Sequence, residues 1–405
     1  MTGRSMRAIL IWLLLLPLFS QAALAQSLGG RASYLGGGVV DARRGAALTL
    51  DLSQGVPWRA FTLVDPPRLV LDFREVDWAG ADAEQMNRSQ DVAELRMGPF
   101  SAGWSRLVAV LTRPALIREA GMTIDEGSGQ ATLSILLKDA SAAEMEAGSG
   151  ASRDPRWDRP QALLTAPPRS EGAPLRIVLD PGHGGIDPGA ERGGVREAAL
   201  MLTFARQLRD VLRRAGYEVL LTRDEDVFVS LEGRVAAAHE ARADLFISLH
   251  ADAIEEGIAH GASVYMLDEL ASDAASEALA ERHDRDDILA GLDLSGADDR
   301  IADVLLDIAR LDNGPRSLSL AQHLLGGIEN AVGEVHKRPL RRAGFSVLKA
   351  ADIPSVLIEL GFLSTERDRA NLLDPDWRNG MAAGIRDGIA AWSLEDAALS
   401  RLRRQ

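Results

Sequence analysis

The sequence predicts two folded parts of different class: a small all-β sandwich, and after it an α/β domain whose mostly parallel or mixed sheet is flanked by helices. Three observations predict this. From Ala46 to Lys138 apolar residues recur at every second position, as in Leu48, Leu50 and Leu52, then Leu69, Leu71 and Phe73, then Leu107, Ala109 and Leu111, then Leu133, Ile135 and Leu137; that period belongs to half-buried strands. From Leu175 onward, short apolar runs alternate with helical patterns, the signature of βαβ units. Between them, 139–173 is rich in Ala, Ser, Gly and Pro without periodicity, which reads as a flexible linker.

Taken in order, the first segment is a leader. Arg4 and Arg7 precede the apolar stretch Ala8 to Phe19, and Ala23-Leu24-Ala25 supplies small residues for cleavage, so 1–25 reads as a secretory signal peptide. The stretch is short for a membrane span, and no later segment is apolar enough for stable membrane insertion. The β domain then occupies 26–138, punctuated by turn chemistry such as Asp65-Pro66-Pro67 and Glu126-Gly127-Ser128-Gly129. The second domain, 174–395, is expected to run as strand 176–180, helix 197–215, strand 217–222, helix 230–241, strand 244–250, strand 262–267, a helix near 317–335, strands 345–349 and 355–361, and a closing helix near 377–393. In the helix after Glu197, Met201, Phe204, Ala205, Leu208, Val211 and Leu212 share one face, and Gly216 ends it.

An insertion at about 268–312 interrupts this rhythm. Between Asp268 and Asp312 stand fourteen acidic residues against four arginines. Two helical pieces are legible there, Leu270 to His283 and Arg300 to Leu311, the second with Ile301, Val304, Leu305 and Ile308 on one face. An insertion of this length in a compact domain is usually functional.

Composition narrows the partners. The chain has 405 residues, no cysteine and a formal charge of −14, which becomes −16 when Arg4 and Arg7 leave with the leader. That balance argues against nucleic acid or an anionic lipid surface, and an exported chain without disulfides depends on core burial and a metal for stability.

The chemistry concentrates in four places. Asp180-Pro181-Gly182-His183-Gly184-Gly185 puts a histidine in a glycine-rich turn directly after a strand, where open α/β sheets form ligand crevices. Glu197 opens a helix, His250 ends the strand Leu245 to Leu249, and Glu359 sits inside the apolar run Val356 to Phe362. Singly, His183 could be a turn residue, Glu197 a helix-start acid favoured by the macrodipole, and His250 a satisfied core imidazole. Together they suit Zn²⁺, which takes histidine nitrogen and carboxylate oxygen and keeps one position open when catalytic. A carboxyl among apolar neighbours has a raised pKa and suits a proton shuttle; the alternative for Glu359 is a buried salt bridge to Arg341 or Arg342. His336 is either a crevice residue or a helix C-terminal cation, and His239, His260, His283 and His323 read as structural or solvated.

These blocks, Val178 to Gly185, Glu197, Ser248-Leu249-His250-Ala251-Asp252 and Val356 to Ser364, closely resemble the zinc-dependent N-acetylmuramoyl-L-alanine amidases of the division-associated type, over about residues 175–393. The β domain, with Phe61-Thr62-Leu63, Pro67 to Asp72 and Leu95-Arg96-Met97-Gly98-Pro99-Phe100, resembles an AMIN domain. The resemblance implies His183, Glu197 and His250 as zinc ligands, Glu359 as catalytic acid/base, hydrolysis of the amide joining N-acetylmuramic acid to L-alanine, attachment to peptidoglycan at the septum, and a periplasmic location. It also implies an autoinhibited enzyme in which a carboxylate of the insertion covers the zinc, with Glu281 first and Glu277 second as the plug. A LytM-type activator would dock on Ile301, Val304, Leu305 and Ile308, unless that stripe packs on the domain core. The alternatives are a zinc peptidase acting on the stem peptide and, outside the enzymes, a non-catalytic cell-wall binding or activator protein.

Overall fold

The computed structural model describes residues 31–101, 103–125, 127–150, 173–253, 260–268, 270–289, 300–333, 335–350 and 352–403; the leader expected at 1–25 lies outside them. Among the described residues no helix is long and apolar enough to cross a membrane.

Eight longer strands build the β domain: β1 (Ala32–Ala42), β2 (Gly45–Leu52), β3 (Trp58–Leu63), β4 (Arg68–Phe73), β5 (Val92–Ser101), β6 (Trp104–Leu111), β7 (Ala115–Ile124) and β8 (Ala131–Asp139). One sheet runs β1-β2-β8-β7, with the two-residue strands Val76–Asp77 and Asn87–Arg88 both pairing with β1; the other runs β3-β4-β6-β5. Their facing positions, Leu48, Leu50 and Leu133 from one sheet with Leu71, Phe73 and Leu107 from the other, bury a common core, as the two-residue alternation requires. Within the expected linker, Ala142–Gly148 forms a short helix with a Ser141/Glu144 capping box and Met145 buried; residues 151–172 lie outside the described ones.

The second domain carries a six-stranded sheet in the order β10-β9-β11-β14-β12-β13, where β9 is Arg176–Pro181, β10 Glu218–Leu221, β11 Leu245–His250, β12 Ala262–Leu267, β13 Val335–Ala343 and β14 Ser355–Glu359. The pairs β9/β10, β9/β11, β11/β14 and β12/β13 are parallel, and β12 against β14 is antiparallel, so the sheet is mixed. Its helices are α1 (Glu197–Arg214), α2 (Leu231–Glu240), α3 (Ala274–Leu289), α4 (Arg300–Val332), α5 (Glu366–Leu373) and α6 (Pro375–Arg403). Ile177, Leu179, Ile247 and Ile358 pack toward Phe204, Leu324, Ile385 and Trp392 on one face, while Val178, Phe246 and Leu357 pack toward Leu279 and Phe345 on the other. Both faces are covered, which explains strands that read as unbroken apolar runs.

Three elements differ from expectation. The strand expected at 345–349 is a 3-10 turn at Ser346–Leu348, and the strand that exists is β13. Lys337-Arg338-Pro339 concealed it, because charge and proline argue against a central strand; β13 is an edge strand, where both are tolerated. Helix α5, capped by Thr365, was not anticipated. The two helices expected at 300–311 and 317–335 are the single α4, which passes through Pro315. Just beyond that proline, Arg316 pairs with Asp396 at 2.7 and 2.8 Å and its carbonyl accepts from Trp392 Nε1 at 3.2 Å, tying the turn to α6. Further along, α4 and α6 meet through glycines: a Cβ on Gly327 would lie 2.2 Å from the Gly384 carbonyl oxygen, and one on Gly388 would lie 2.7 Å from that of His323.

Candidate metal centre

The strand ends of β9, β11 and β14 lie side by side, and the parallel register sets His250 directly opposite Glu359. His183 follows β9 in the turn and adopts a left-handed φ of 57°, a conformation a non-glycine residue holds only when its surroundings impose it. Those surroundings are two buried arginines. Arg223 donates to the carbonyls of Pro181, Gly182 and Ala198, and Arg234 donates to Pro181 O and His183 O, both at 2.9 Å. Beneath them the fully buried Asp180 accepts from Arg234 at 2.6 Å, Thr222 at 2.6 Å and Ser248 at 2.7 Å. Burial alone would raise the Asp180 pKa, but Arg234 and the hydroxyl donors hold it below the ordinary value.

Glu197, the first residue of α1, is fully buried among donors. Its Oε2 accepts from the Ala190 N–H at 2.9 Å and lies 3.4 Å from His183 Nε2; its Oε1 accepts from the Ala251 N–H at 2.8 Å and lies 3.2 Å from His250 Nδ1. Donor atoms at the corners of a tetrahedron with bonds of about 2.0–2.1 Å stand about 3.3 Å apart. Each contact is close to that spacing and is made by a different oxygen, so the Glu197 carboxylate lies between the two imidazoles. Asp187, four residues past His183, meets its Nδ1 at 2.7 Å. Burial acts to raise the Asp187 pKa, yet the facing His183 ring and its hydrogen bond bring it down to about 2. Against the pull of burial, Asp187 and then Glu197 raise the His183 pKa well above the ordinary value, so the metal-free ring is protonated; a carboxylate on Nδ1 fixes that nitrogen as the donor once Nε2 gives up its proton. Nε2 of His183 is buried, makes no hydrogen bond of good geometry and faces Glu197 Oε2 at 3.4 Å.

Glu359 is fully buried; Oε2 accepts from the Asp252 N–H at 3.1 Å, and Oε1 has no partner. Burial, then the Glu197 and Asp252 carboxylates, push its pKa well above the ordinary value. No salt bridge explains it: Arg341 pairs with Asp273 and Arg342 with Asp268. Burial and the neighbouring His283 press His250 down to about 4, so its ring is neutral and able to ligate.

The insertion supplies a correction. His283, read from sequence as structural or solvated, is buried inside the cluster. Its ring stacks on His250 with centroids 4.3 Å apart and lies 5.6 Å from that of His183. His183, His250 and His283 each offer a nitrogen within 4.8 Å of the others, and His283 Nε2 makes no hydrogen bond but lies 3.7 Å from Asp252 Oδ2. Glu281 and Glu277, the carboxylates expected to face the ion, are solvent-exposed, with Glu281 on the rim of the cleft. Helical phase is the reason: Leu279, Ala280 and His283 share the buried face, whereas Glu277 and Glu281, four apart, share the opposite one. Three straps hold α3 down. Arg282 pairs with Asp252 at 2.8 Å, Asp284 accepts from the Ser346 hydroxyl at 2.8 Å, and Asp273 pairs with Arg341. Ile301, Val304, Leu305 and Ile308 fall in the first turns of α4, and their side chains lie outside the described residues. His336 begins β13 rather than ending a helix, with its ring centroid 6.3 Å from that of Phe362.

The cleft above the cluster has a volume of about 660 Å³; its wall includes Gly189, Glu191, Arg192 and Arg96. Sequence reasoning missed Asp187, Asp180, Arg223, Arg234, Asp252, Arg282 and His283 as parts of the site. Asp180 ending an apolar strand and an acid four residues after His183 were the available signals; the arginines gave none.

The family model for N-acetylmuramoyl-L-alanine amidase matches residues 177–391. The N-acetylmuramoyl-L-alanine amidase AmiC of Escherichia coli is 31% identical over 96% of this chain and 95% of its own length. AmiA of Escherichia coli is 38% identical over 226 residues, 55% of this chain and 78% of its own. Among solved structures, AmiC2 of Nostoc punctiforme covers 55% of this chain and 99% of its own at 27% identity and a TM-score of 0.41.

Proposed function

From the premise that the chain belongs to the N-acetylmuramoyl-L-alanine amidase family, we propose that it is a periplasmic zinc enzyme that hydrolyses the amide between the lactyl group of N-acetylmuramic acid and L-alanine, splitting septal peptidoglycan. The observation that carries this reading is the convergence of His183 Nε2, the Glu197 carboxylate and His250 Nδ1, with the unpartnered Glu359 Oε1 beside them.

His183, Glu197 and His250 would hold the ion, and Asp187 orients the first of them through Nδ1. Bound there, zinc supplies Lewis acidity toward a carbonyl and lowers the pKa of water. Glu359 Oε1 takes a proton from the attacking water and delivers it to the departing L-alanine nitrogen; its raised pKa favours holding the proton between the two transfers. The Asp252 N–H keeps Oε2 occupied, so Oε1 is the oxygen that works. The Arg223 and Arg234 donors keep the His183 turn fixed while charge changes hands.

The same reading makes α3 an autoinhibitory cover. His283, lying over the cluster, would fill the open ligand position from within the chain, and release would require α3 to lift. A LytM-type activator docking on the stripe Ile301, Val304, Leu305 and Ile308 would supply the lift, and the β domain would bring the enzyme to septal peptidoglycan.

The test is peptide release from purified sacculi with metal content measured alongside. About one zinc per chain is expected, with products that are peptides beginning with L-alanine and glycans with free lactyl groups. His183→Ala should lose both metal and release, and Glu359→Gln should lose release but keep metal. Cleavage within the stem peptide would instead identify a peptidase, and no release from activated, zinc-loaded protein would identify a binding protein.

A further inference from the structure

Two motifs far apart in sequence touch. Along β5, Leu95 and Met97 face the core of the β sandwich, so Arg96, Gly98 and Phe100 point to the other face. That face lies against the turn carrying His183. A Cβ on Gly98 would stand 2.8 Å from the Gly185 carbonyl oxygen, and a Cβ on Gly185, at φ 61°, would stand 1.9 Å from that of Pro99; only glycine on both sides permits this approach. One residue further, Ile186 and Phe228 of the α/β domain are buried with Phe61, Val70 and Val108 of the β domain. The Phe100 ring stacks on Phe228 at 5.5 Å and 14°, with the Arg106 guanidinium 3.5 Å from the Phe100 centroid on the β-domain side.

Docked this way, the β domain delivers Arg96 into the wall of the cleft that contains His183, Glu197 and His283. Glu94 Oε1 accepts from Arg96 Nε at 2.6 Å and fixes the direction of the side chain, which is 17% exposed. Arg96 is also near enough for its charge to act on Asp187. A guanidinium held at the edge of a peptide cleft is the group best matched to a carboxylate, through paired, planar hydrogen bonds.

We infer that Arg96 is a substrate-binding residue contributed by the β domain: it takes a free carboxylate of the stem peptide whose first amide bond lies over His183 and Glu359. This rests on the hydrolase reading above and extends it, because the β domain then forms part of the specificity cleft as well as an attachment module.

The experiment uses the full, zinc-loaded chain and two soluble probes, a muramoyl pentapeptide and the same compound with its carboxylates amidated. Arg96→Ala is expected to raise KM about tenfold on the free acid with kcat within about twofold, to leave the amidated compound unaffected, and to be partly rescued by Arg96→Lys. An unchanged KM on the free acid, in protein where Glu359→Gln still abolishes release, overturns the role of Arg96 and leaves the hydrolase standing; no release by the zinc-loaded chain even when His283→Ala removes the cover overturns the hydrolase itself. The docking has its own readout. Phe100→Ala removes the ring stacked on Phe228 and is expected to raise the KM on the free acid as Arg96→Ala does; a parent-like KM in folded Phe100→Ala protein would count against that contact. Gly98→Val, which pries the motifs apart without removing the guanidinium, should reproduce the KM rise; a parent-like KM would count against docking as its cause.

Discussion

The floor of the cleft and its cover are made differently. The floor is three adjacent strand ends locked by fully buried groups: Asp180 alone takes hydrogen bonds from Arg234, Thr222 and Ser248, and two arginines grip the carbonyls of the His183 turn. The cover, α3, is attached by a few ion pairs and hydrogen bonds whose α3-side groups, Arg282, Asp273 and Asp284, are partly exposed, and only Leu279, Ala280, Ser276 and His283 of its first ten residues are buried. Partly exposed ion pairs contribute little each, whereas a buried network collapses when one member goes. Under the proposed function, such a floor would keep ligand geometry within the tolerance a metal demands, while a weakly held cover could leave without disturbing it.

Breaking the floor should give the largest effect. Asp180→Ala leaves the buried Arg234 uncompensated and is expected to cost about 3–5 kcal/mol of stability and to weaken zinc binding about 10–100-fold, read by denaturant titration and metal competition. A loss under about 1 kcal/mol would mean the floor is not the cooperative unit described. Breaking the cover should act oppositely: His283→Ala is expected to raise unstimulated peptide release roughly 5–150-fold, the range of typical coupling energies, while changing stability little. Glu281→Ala, on the exposed face, should leave the basal rate unchanged, and a rise there equal to that of His283→Ala would reverse the assignment. Loosening one strap by Arg282→Ala should give a smaller, few-fold rise that vanishes in the His283→Ala background.

The smallest effect concerns protonation of the metal-free protein. The folded state holds the Glu359 proton well above the ordinary carboxyl value of 4.5, so above that pH the unfolded chain binds fewer protons than the folded one, and stability falls as pH rises. The Tm advantage of Glu359→Gln over the parent, measured with chelator, should therefore grow from pH 5 to pH 8. A constant difference would show that Glu359 ionises normally.

Much of this was legible beforehand, and the gaps have physical causes. His183, Glu197, His250 and Glu359 could be read because each stands where a strand ends or a helix starts, and because a carboxyl amid Val356 to Phe362 needs a reason to be there. Strand β13 was hidden because edge strands accept charge and proline that central strands reject. His283 was missed because its meaning depends on which face of α3 turns inward. With fourteen acids in the insertion, attention fell on Glu281, although Leu279 and Ala280 already marked the buried side. The arginines beneath the His183 turn are tertiary partners 40 or more residues away, and no local pattern announces them.

The tie at the Pro315 turn of α4 has a mechanical consequence. With Arg316 held by Asp396 and Trp392, and Gly327 seated against Gly384 further along, α4 is fastened to α6 from that turn onward. The stretch from Arg300 to Arg316 spans roughly 24 Å at 1.5 Å per residue, and the proline that interrupts the helix ladder is where it can bend. A tilt of only about 10° about that turn moves the start of α4 by roughly 4 Å.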